Sequence, residues 1–280
     1  MKFEKMHGAG NDYVYVNLFE ERVDDPEELS RRVSDRHFGI GSDGLVLIGP
    51  GGEGGDFSMR MFNADGSEGA MCGNAARCVG KYLYERGLTA KREIALNTQS
   101  GIKQLLLTVN PRTGEVERVR VNMGKAAFSA SDTLRSQVTL PEMVNYPVQV
   151  SGREYRITFV SMGNPHAVIF TDGIDNLEIE RIGTEIEHHP LFPERTNVEF
   201  IEVIDRSRLK MRVWERGSGE TLACGSGACA SVAAGTITDR CEPKASVQLK
   251  GGVLEVEWVR DGNQVFLAGD ARFVFKGELF

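Results

Sequence analysis

The chain has 280 residues, a formal net charge of -7 at pH 7, 41% hydrophobic residues and 26% charged residues. These values are ordinary for a globular protein of one large domain or two average ones. The negative charge argues against a nucleic-acid partner, and no stretch approaches the ~20 apolar residues that span a bilayer. The first residues lack the apolar segment of a signal peptide. We therefore expect a cytoplasmic protein whose five cysteines are free thiols.

The apolar pattern predicts many short strands and few helices. The first predicted helix covers residues 26–36, with Pro26 in its first turn. Two more helices are predicted at 74–86, followed by Gly87 as a C-terminal cap, and at 226–238. The predicted strands, in chain order, are 45–48, 57–62, 105–109, 116–121, 155–160, 198–204, 209–214, 253–259 and 264–267. This order indicates an α+β fold in which a mostly antiparallel sheet wraps around a central helix.

An internal repeat divides the chain. Residues 59–76 align with residues 211–228 without a gap at an offset of 152, and Gly10-Asn11 aligns with Gly163-Asn164 at an offset of 153. Two matches at nearly one offset favour a duplicated domain. We expect two pseudo-symmetric domains, 1–125 and 126–267, with the linker inside 124–147 and the active site in the cleft between the domains.

The repeat places one Cys-Gly pair at the start of a helix in each half, at Cys72 and Cys224. A thiol at a helix N-terminus faces unpaired N–H groups and the positive end of the helix dipole, which lower its pKa and favour the thiolate. Two such thiols on either side of one carbon could remove a proton from one face and deliver a proton to the other. This chemistry inverts a stereocentre next to a carboxylate and requires neither pyridoxal phosphate nor a metal.

Other interpretations of the cysteines and glycines fit less well. A single cysteine after a glycine-rich loop is more often a buried core thiol, and we assign Cys78, Cys229 and Cys241 to that class. The cysteine spacings do not match common zinc ligand pairs, and no C-x-x-C occurs. Residues 39–44 spell a dinucleotide fingerprint but lead into a strand and not a helix, so a turn is predicted there.

Six stretches resemble the diaminopimelate epimerase family. They are KMHGAGNDY (5–13), FNADGSE (62–68), CGNAARC (72–78), SMGNPH (161–166), RTNVEF (195–200) and WERGSGETLACGSGACA (214–230). Their order and their spread over nearly the whole chain make the resemblance specific. It implies a homodimeric enzyme that interconverts LL- and meso-diaminopimelate for lysine and peptidoglycan synthesis. The last strand, about 268–280, is expected to return to the first domain.

The resemblance also implies roles for individual residues. Cys72 and Cys224 match the catalytic pair, while His166 and Glu215 match residues that tune the two thiols. The implied substrate contacts are Asn11, Asn63, Gly73, Asn74, Asn164, Asn197, Glu215, Arg216, Gly225 and Ser226. The Arg216 guanidinium suits a carboxylate, whose two oxygens it can bind together. No metal site is expected. Gly44 stands where some family members have a substrate-binding glutamine, so we assign Gly44 no binding role.

Three other functions are alternatives to this one. A proline or hydroxyproline racemase would also use two cysteines, but four asparagines and Arg216 exceed what a substrate without a second amino-acid head needs. Isomerases of similar fold that lack the cysteine pair are disfavoured because the pair is present. A non-catalytic amino-acid-binding module would keep the polar residues but would have no need for two activated thiols.

Overall fold

The computed structural model describes residues 1–128 and 143–280. The chain separates into two compact units: Met1–Asn122 together with Ala268–Phe280, and Met123–Leu267. Much of the predicted linker, at 129–142, lies outside the described residues. Among the helices of the described residues, none is long and apolar enough to cross a membrane.

The first unit contains two helices and a mostly antiparallel sheet. The helices are α1 (Pro26–Ser34) and α2 (Gly73–Glu85). The strands are β1 (Lys2–Gly8), β2 (Asn11–Asn17), β3 (Gly44–Pro50), β4 (Phe57–Asn63), β5 (Glu68–Gly69), β6 (Glu93–Thr98), β7 (Gly101–Val109), β8 (Val116–Gly124) and, from the C-terminal segment, β18 (Arg272–Glu278).

The second unit has the same kinds of elements. Its helices are α3 (Ile179–Glu187) and α4 (Gly225–Ile237), preceded by a 3₁₀ turn at Ile174–Asn176. Its strands are β9 (Tyr146–Val150), β10 (Arg153–Ser161), β11 (Pro165–Phe170), β12 (Asn197–Asp205), β13 (Arg208–Glu215), β14 (Gly219–Thr221), β15 (Lys244–Leu249), β16 (Gly252–Val259) and β17 (Gln264–Gly269).

Strand pairing follows one scheme in both units. In the first, β18, β1 and β2 pair antiparallel in turn, β2 pairs parallel with β3, β3 antiparallel with β4, and β4 parallel with β6. In the second, β9, β10 and β11 pair antiparallel, β11 pairs parallel with β12, β12 antiparallel with β13, and β13 parallel with β15. The predicted α+β class with mostly antiparallel strands is confirmed.

Each sheet encloses one helix. Helix α2 packs on β1, β2 and β7, and α4 packs on β10, β11, β12, β15 and β16. Helix α4 consists mainly of glycine, alanine and other small residues, and most of them are buried. Small side chains allow neighbouring segments to approach the helix closely: a Cβ added at Gly235 would lie 2.6 Å from Sγ of Cys241, in the segment between α4 and β15. The enclosed helix is therefore held rigidly, together with the residue at its N-terminus.

The C-terminal segment is tied to α2 as well as to β1. Strand β18 pairs with β1 from Lys2 opposite Glu278 to His7 opposite Arg272. The fully buried Arg77 of α2 donates through Nε to the carbonyl oxygen of Asp270, at 3.2 Å. The C-terminal segment thus helps to hold α2, the helix that begins after Cys72, in place.

The predicted helices and strands are found within a few residues of their predicted ends. Gly87 follows α2 with a φ of 72°, as a C-terminal cap requires, and residues 39–44 form no helix. Helix α3 and the strands β1, β2, β5, β6, β9, β11, β14 and β15 were not predicted, whereas a last strand was expected at about 268–280, where β18 lies.

Candidate active site

Cys72 occupies the N-cap position of α2. Its backbone is extended, with φ -134° and ψ 120°, and its Sγ accepts a hydrogen bond from the backbone N–H of Ala75 at 3.5 Å. Serine and threonine oxygens cap helices in this way. The thiol also donates to Asn11 Oδ1 at 3.3 Å. The cysteine is therefore held between a helix N-terminus and a side-chain amide.

Asp43 fixes the orientation of the Asn11 amide. Asn11 Nδ2 donates to Asp43 Oδ2 at 2.8 Å, and the same oxygen accepts from the backbone N–H of Asp12 at 3.0 Å. Because a carboxylate can only accept, the amide nitrogen of Asn11 must face Asp43. The amide oxygen is consequently directed toward Cys72 and toward Asn74 Nδ2, which donates to it at 3.3 Å. We call Asn11, Asp43, Cys72 and Asn74 the Cys72 cluster.

A charged network supports the Cys72 cluster from behind. Buried Lys5 pairs with Asp12, and Arg36 bridges Asp12 and Asp43 at 3.0 Å to each. Although burial opposes it, hydrogen bonds from Arg36 and Lys5 hold the pKa of Asp12 below its ordinary value. Burial and the neighbouring Asp12 carboxylate raise the pKa of Asp43. These ion pairs, in which positive and negative side chains alternate, hold the backbone around Asn11 in place.

Of the remaining first-unit predictions, Gly73 opens α2, and Asn63 ends β4. The Asn63 side chain is exposed, and its Nδ2 donates to Ser67 Oγ at 3.0 Å. Gly44 starts β3, and a Cβ there would collide with the carbonyl oxygen of Phe62. The backbone at this point accepts only glycine.

Cys224 occupies the matching N-cap position of α4, with φ -119° and ψ 110°. Its Sγ lies 3.6 Å from Ser226 Oγ. The expected effect of the helix N-terminus on the pKa is present at Cys224 but is outweighed. Burial, followed by the carboxylates of Glu215 and Glu199, raises the pKa of the Cys224 thiol well above its ordinary value, and the hydrogen bonds with the Ser226 hydroxyl and with the Gly227 backbone N–H in the first turn of α4 offset this only in part.

Glu215 ends β13 beside Cys224. Its Oε1 accepts a short hydrogen bond from Thr221 Oγ1 on β14. Burial raises the pKa of the Glu215 carboxyl, while the hydrogen bonds with Thr221 and Cys224 oppose the shift. Glu215 and the Cys224 thiol are hydrogen-bonded to each other, so a proton can pass directly between the two groups.

His166 lies at the centre of a hydrogen-bonded chain. It is fully buried in β11, with Nδ1 at 2.7 Å from Glu199 Oε1 and Nε2 at 3.0 Å from Asn164 Oδ1. Asn164 Nδ2 donates to Ser226 Oγ at 3.3 Å, and Ser226 in turn contacts Cys224. His166 therefore reaches Cys224 through two intervening side chains.

Asn197 and Arg216 are linked through the backbone. Asn197 Oδ1 accepts from the N–H of Arg216 at 2.9 Å, and its Nδ2 donates to the carbonyl of Pro165 at 2.9 Å. The Arg216 side chain is exposed, with Nη1 donating to the carbonyl of Glu194 at 3.0 Å. The buried Asn197 amide thus fixes the backbone of Arg216, the residue that follows β13.

The residues predicted for the second unit lie at the ends of neighbouring elements. Asn164 lies just before β11, His166 on β11 and Asn197 on β12. Glu215 ends β13 and is followed by Arg216, and Gly225 and Ser226 form the first turn of α4. Sequence reasoning missed Asp43 and Glu199. Asp43 lies in residues 39–44, to which only a turn was assigned. Glu199 stands inside an apolar strand, and a charged residue in such a run is a signal for a functional or paired group.

Cys78, Cys229 and Cys241 are buried, as expected of core thiols. Burial raises the pKa of Cys78 and of Cys241 to about 11. Within residues 1–128 and 143–280, no group of three or more His, Cys, Asp or Glu side chains is arranged to hold a metal ion.

The fold is shared with solved structures of low sequence identity. A hydroxyproline epimerase from Agrobacterium vitis matches with a TM-score of 0.72 and 16% identity, covering 100% of this chain and 90% of that one. A phenazine biosynthesis protein of the PhzF family from Bacillus anthracis matches with a TM-score of 0.70 and 18% identity, covering 100% and 99%. The chain therefore has the same fold as this epimerase and this PhzF-family protein.

The sequence relationship is closer. The diaminopimelate epimerase family model matches residues 3–129 and 158–274. The diaminopimelate epimerase of Acetivibrio thermocellus is 54% identical over 280 residues, which cover 100% of this chain and 98% of that protein. The chain belongs to the diaminopimelate epimerase family and is an amino-acid epimerase.

The burial of the thiols predicts their order of alkylation. In the native protein at pH 8, iodoacetamide should modify the partly exposed Cys72 before Cys78 and Cys241. A thiol with a pKa of about 11 is only about 0.1% thiolate at pH 8, and the thiolate is the reactive form. Timed quenching and peptide mass spectrometry measure the order, with urea-unfolded protein as the control in which all thiols react. Modification of Cys78 or Cys241 at the rate of Cys72 would contradict the assignment.

Proposed function

We propose that the chain interconverts LL- and meso-2,6-diaminopimelate by moving the α-proton between Cys72 and Cys224 without a cofactor. The observation that supports this most directly is the equivalence of the two cysteines. Each is the N-cap of an enclosed 13-residue helix, and the helices, Gly73–Glu85 and Gly225–Ile237, are offset by 152 residues. On this basis, the two units are the halves of a duplicated domain, each supplying one base.

The proposed reaction is a proton exchange in which no electron is gained or lost. One cysteine, as thiolate, removes the α-proton, and the electron pair of the C–H bond is delocalised into the substrate carboxylate. The other cysteine, as thiol, then delivers a proton to the opposite face of the same carbon. Backbone N–H groups at Gly73-Asn74 and Gly225-Ser226 bind the carboxylate, where the helix N-termini stabilise its developing charge.

The surroundings of the two thiols suggest how protons are distributed before substrate binds. Cys224 is buried between the carboxylates of Glu215 and Glu199, which raise its pKa. We therefore assign Cys224 the thiol state in the empty enzyme. Glu215 contacts it and is the group that exchanges a proton with it when the reaction runs with Cys224 as base.

The distal end of the substrate carries a second amino group and a second carboxylate. Arg216 is suited to bind this carboxylate, because its exposed guanidinium offers paired donors. Asn11, Asn63 and Asn164 supply amide groups for the remaining polar atoms. Asn197 is proposed to contribute through the placement of Arg216, since its own amide atoms bond to the backbone of Arg216 and Pro165.

Replacement of either cysteine tests the two-base assignment. Cys72→Ser and Cys224→Ser should each lower kcat about 10²- to 10⁴-fold, because an un-ionised hydroxyl is a far weaker base than a thiolate. The measurement is conversion of LL- to meso-diaminopimelate by chiral chromatography, with proline and hydroxyproline as alternative substrates. Cys241→Ala, which removes a buried thiol from the segment between α4 and β15, is the matched control and should keep its turnover. Near-normal kcat in either serine variant would refute the assignment.

We further propose a cytoplasmic homodimer. Strand β18 supports the dimer: Val274 is 54% exposed and the adjacent Phe275 is 48% exposed. Adjacent residues of a strand point to opposite faces, so apolar side chains lie open on both sides of β18. A second copy of the chain would cover them.

Light scattering coupled to gel filtration tests the dimer. The wild type should elute with twice the mass of one chain, and Phe275→Glu should elute with the mass of a single chain. Leu106→Glu is the matched control, since Leu106 is 43% exposed on β7 and its replacement should leave the mass unchanged. A wild-type protein with the mass of one chain at micromolar concentration would contradict the proposal.

A further inference from the structure

Glu187 places a buried carboxyl group at the C-terminal end of α3. Its Oε2 accepts from the indole Nε1 of Trp214 at 2.7 Å, and its Oε1 accepts from the backbone N–H of Gly217 at 3.0 Å. These roles are fixed, because an indole N–H and a backbone N–H can only donate. Arg195 Nη1 lies 3.7 Å from Oε1 and brings an opposite charge to the buried group. Removal of Glu187 would therefore leave two donors without their acceptor.

The two bonds of Glu187 lie on either side of the pair Glu215-Arg216. Trp214 precedes this pair and Gly217 follows it. The N–H between them, that of Arg216, donates to Asn197 Oδ1 at 2.9 Å. Two consecutive N–H groups of the turn after β13 thus have buried acceptors, one from β12 and one from α3. The backbone from which the Arg216 side chain extends is held by both.

The Trp214 ring packs on α3 as well as bonding to it. A Cβ added at Gly183 would lie 2.6 Å from Trp214 Cγ, so a larger residue at this position would displace the ring. Trp214 also packs against the core cluster that contains Ile182 and Ile186 of the same helix. Helix α3 and the end of β13 are therefore joined by close packing and by the carboxyl group of Glu187.

The first unit holds its matching turn in a comparable way. Asn63 aligns with Glu215 at the offset of 152, and the two residues end β4 and β13. On α1, Ser30 Oγ donates to the carbonyl oxygen of Asn63 at 2.8 Å. Arg31 Nη1 donates to the carbonyl oxygen of Asp65 at 3.1 Å. In each unit, the first helix thus bonds to the turn that adjoins a proposed substrate contact.

We propose that Glu187 is a positioning residue that sets the affinity for substrate through Arg216. By holding the N–H of Gly217, it fixes the turn and hence the direction in which the guanidinium of Arg216 projects. Glu215 has separate support, because Thr221 donates to its carboxyl group. Loss of Glu187 should therefore weaken binding more than proton transfer. The inference rests on the proposed function, in which Arg216 binds the distal carboxylate.

Glu187→Gln tests the proposal, because glutamine keeps the shape and offers one acceptor oxygen in place of two. KM for LL-diaminopimelate should rise about 10- to 100-fold, as for other displaced binding groups, and kcat should stay within about fivefold. A residue that only stabilised the fold would lower the amount of active enzyme, and so kcat, without a change in KM. When Glu187→Gln is added to Arg216→Ala, KM should change by less than about twofold, because both act through one contact.

NMR observes the two hydrogen bonds directly. The chain has two tryptophans, so Trp258→Phe identifies the indole signal of Trp214. Labelling with carbonyl-¹³C arginine and ¹⁵N-glycine selects Arg-Gly pairs, and the sequence has two, Arg86-Gly87 and Arg216-Gly217. In the wild type, the Trp214 indole N–H and the Gly217 N–H should both exchange slowly with solvent. In Glu187→Gln at least one of them should exchange more than about 10-fold faster.

Glu180→Gln is the matched control, since Glu180 is exposed on the same helix and its replacement should leave KM, kcat and both exchange rates unchanged. Rapid exchange of the Gly217 N–H in the wild type would overturn the proposal even if the Glu187 variant failed to fold. An unchanged KM in folded Glu187→Gln would also overturn it, and so would a further large rise of KM in the Arg216→Ala background. A wild type without epimerase activity would refute the proposed function, while the exchange rates would still test the bonds of Glu187 to the turn.

Discussion

The placement of a cysteine at the N-cap of an enclosed helix is the constraint on which the chemistry of this protein depends. Each helix is surrounded by strands of its own unit, so the N-cap residue has little freedom to move. Unpaired N–H groups at the same helix end form an anion site. One structural device therefore supplies both the base and the carboxylate-binding site, and the chain contains it twice, at Cys72 and Cys224.

The two copies of this device differ in their charged surroundings. Cys72 faces the Asn11 amide, which Asp43 holds in place, whereas Cys224 faces the carboxylates of Glu215 and Glu199. Different surroundings allow one to accept a proton while the other donates, a common arrangement for paired acids and bases.

The sequence predicted the parts of the structure that local pattern controls. Helices α2 and α4, the strands before them and the N-terminal positions of both cysteines follow from apolar periodicity and the repeat. Helix α3 was missed because its β-branched residues and Gly183 are weak helix formers, and its formation depends on packing. A Cβ at Gly183 would lie 2.6 Å from Trp214 Cγ, a contact that only the folded chain defines. The raised pKa of Cys224 and the pairing of Glu199 with His166 likewise arise from residues that are distant in sequence.

Deuterium incorporation at early reaction times tests the central claim, that two different groups handle the α-proton. Purified protein with reduced thiols and no added cofactor is given LL-diaminopimelate in deuterium oxide, and the α-positions of substrate and product are followed by NMR and mass spectrometry. We predict deuterium at the inverted centre of the meso product and protium in the unreacted LL isomer, because the donating thiol exchanges with solvent while the accepting thiol returns its own proton. Transfer of substrate protium into the product would show that a single base acts, and would contradict the account.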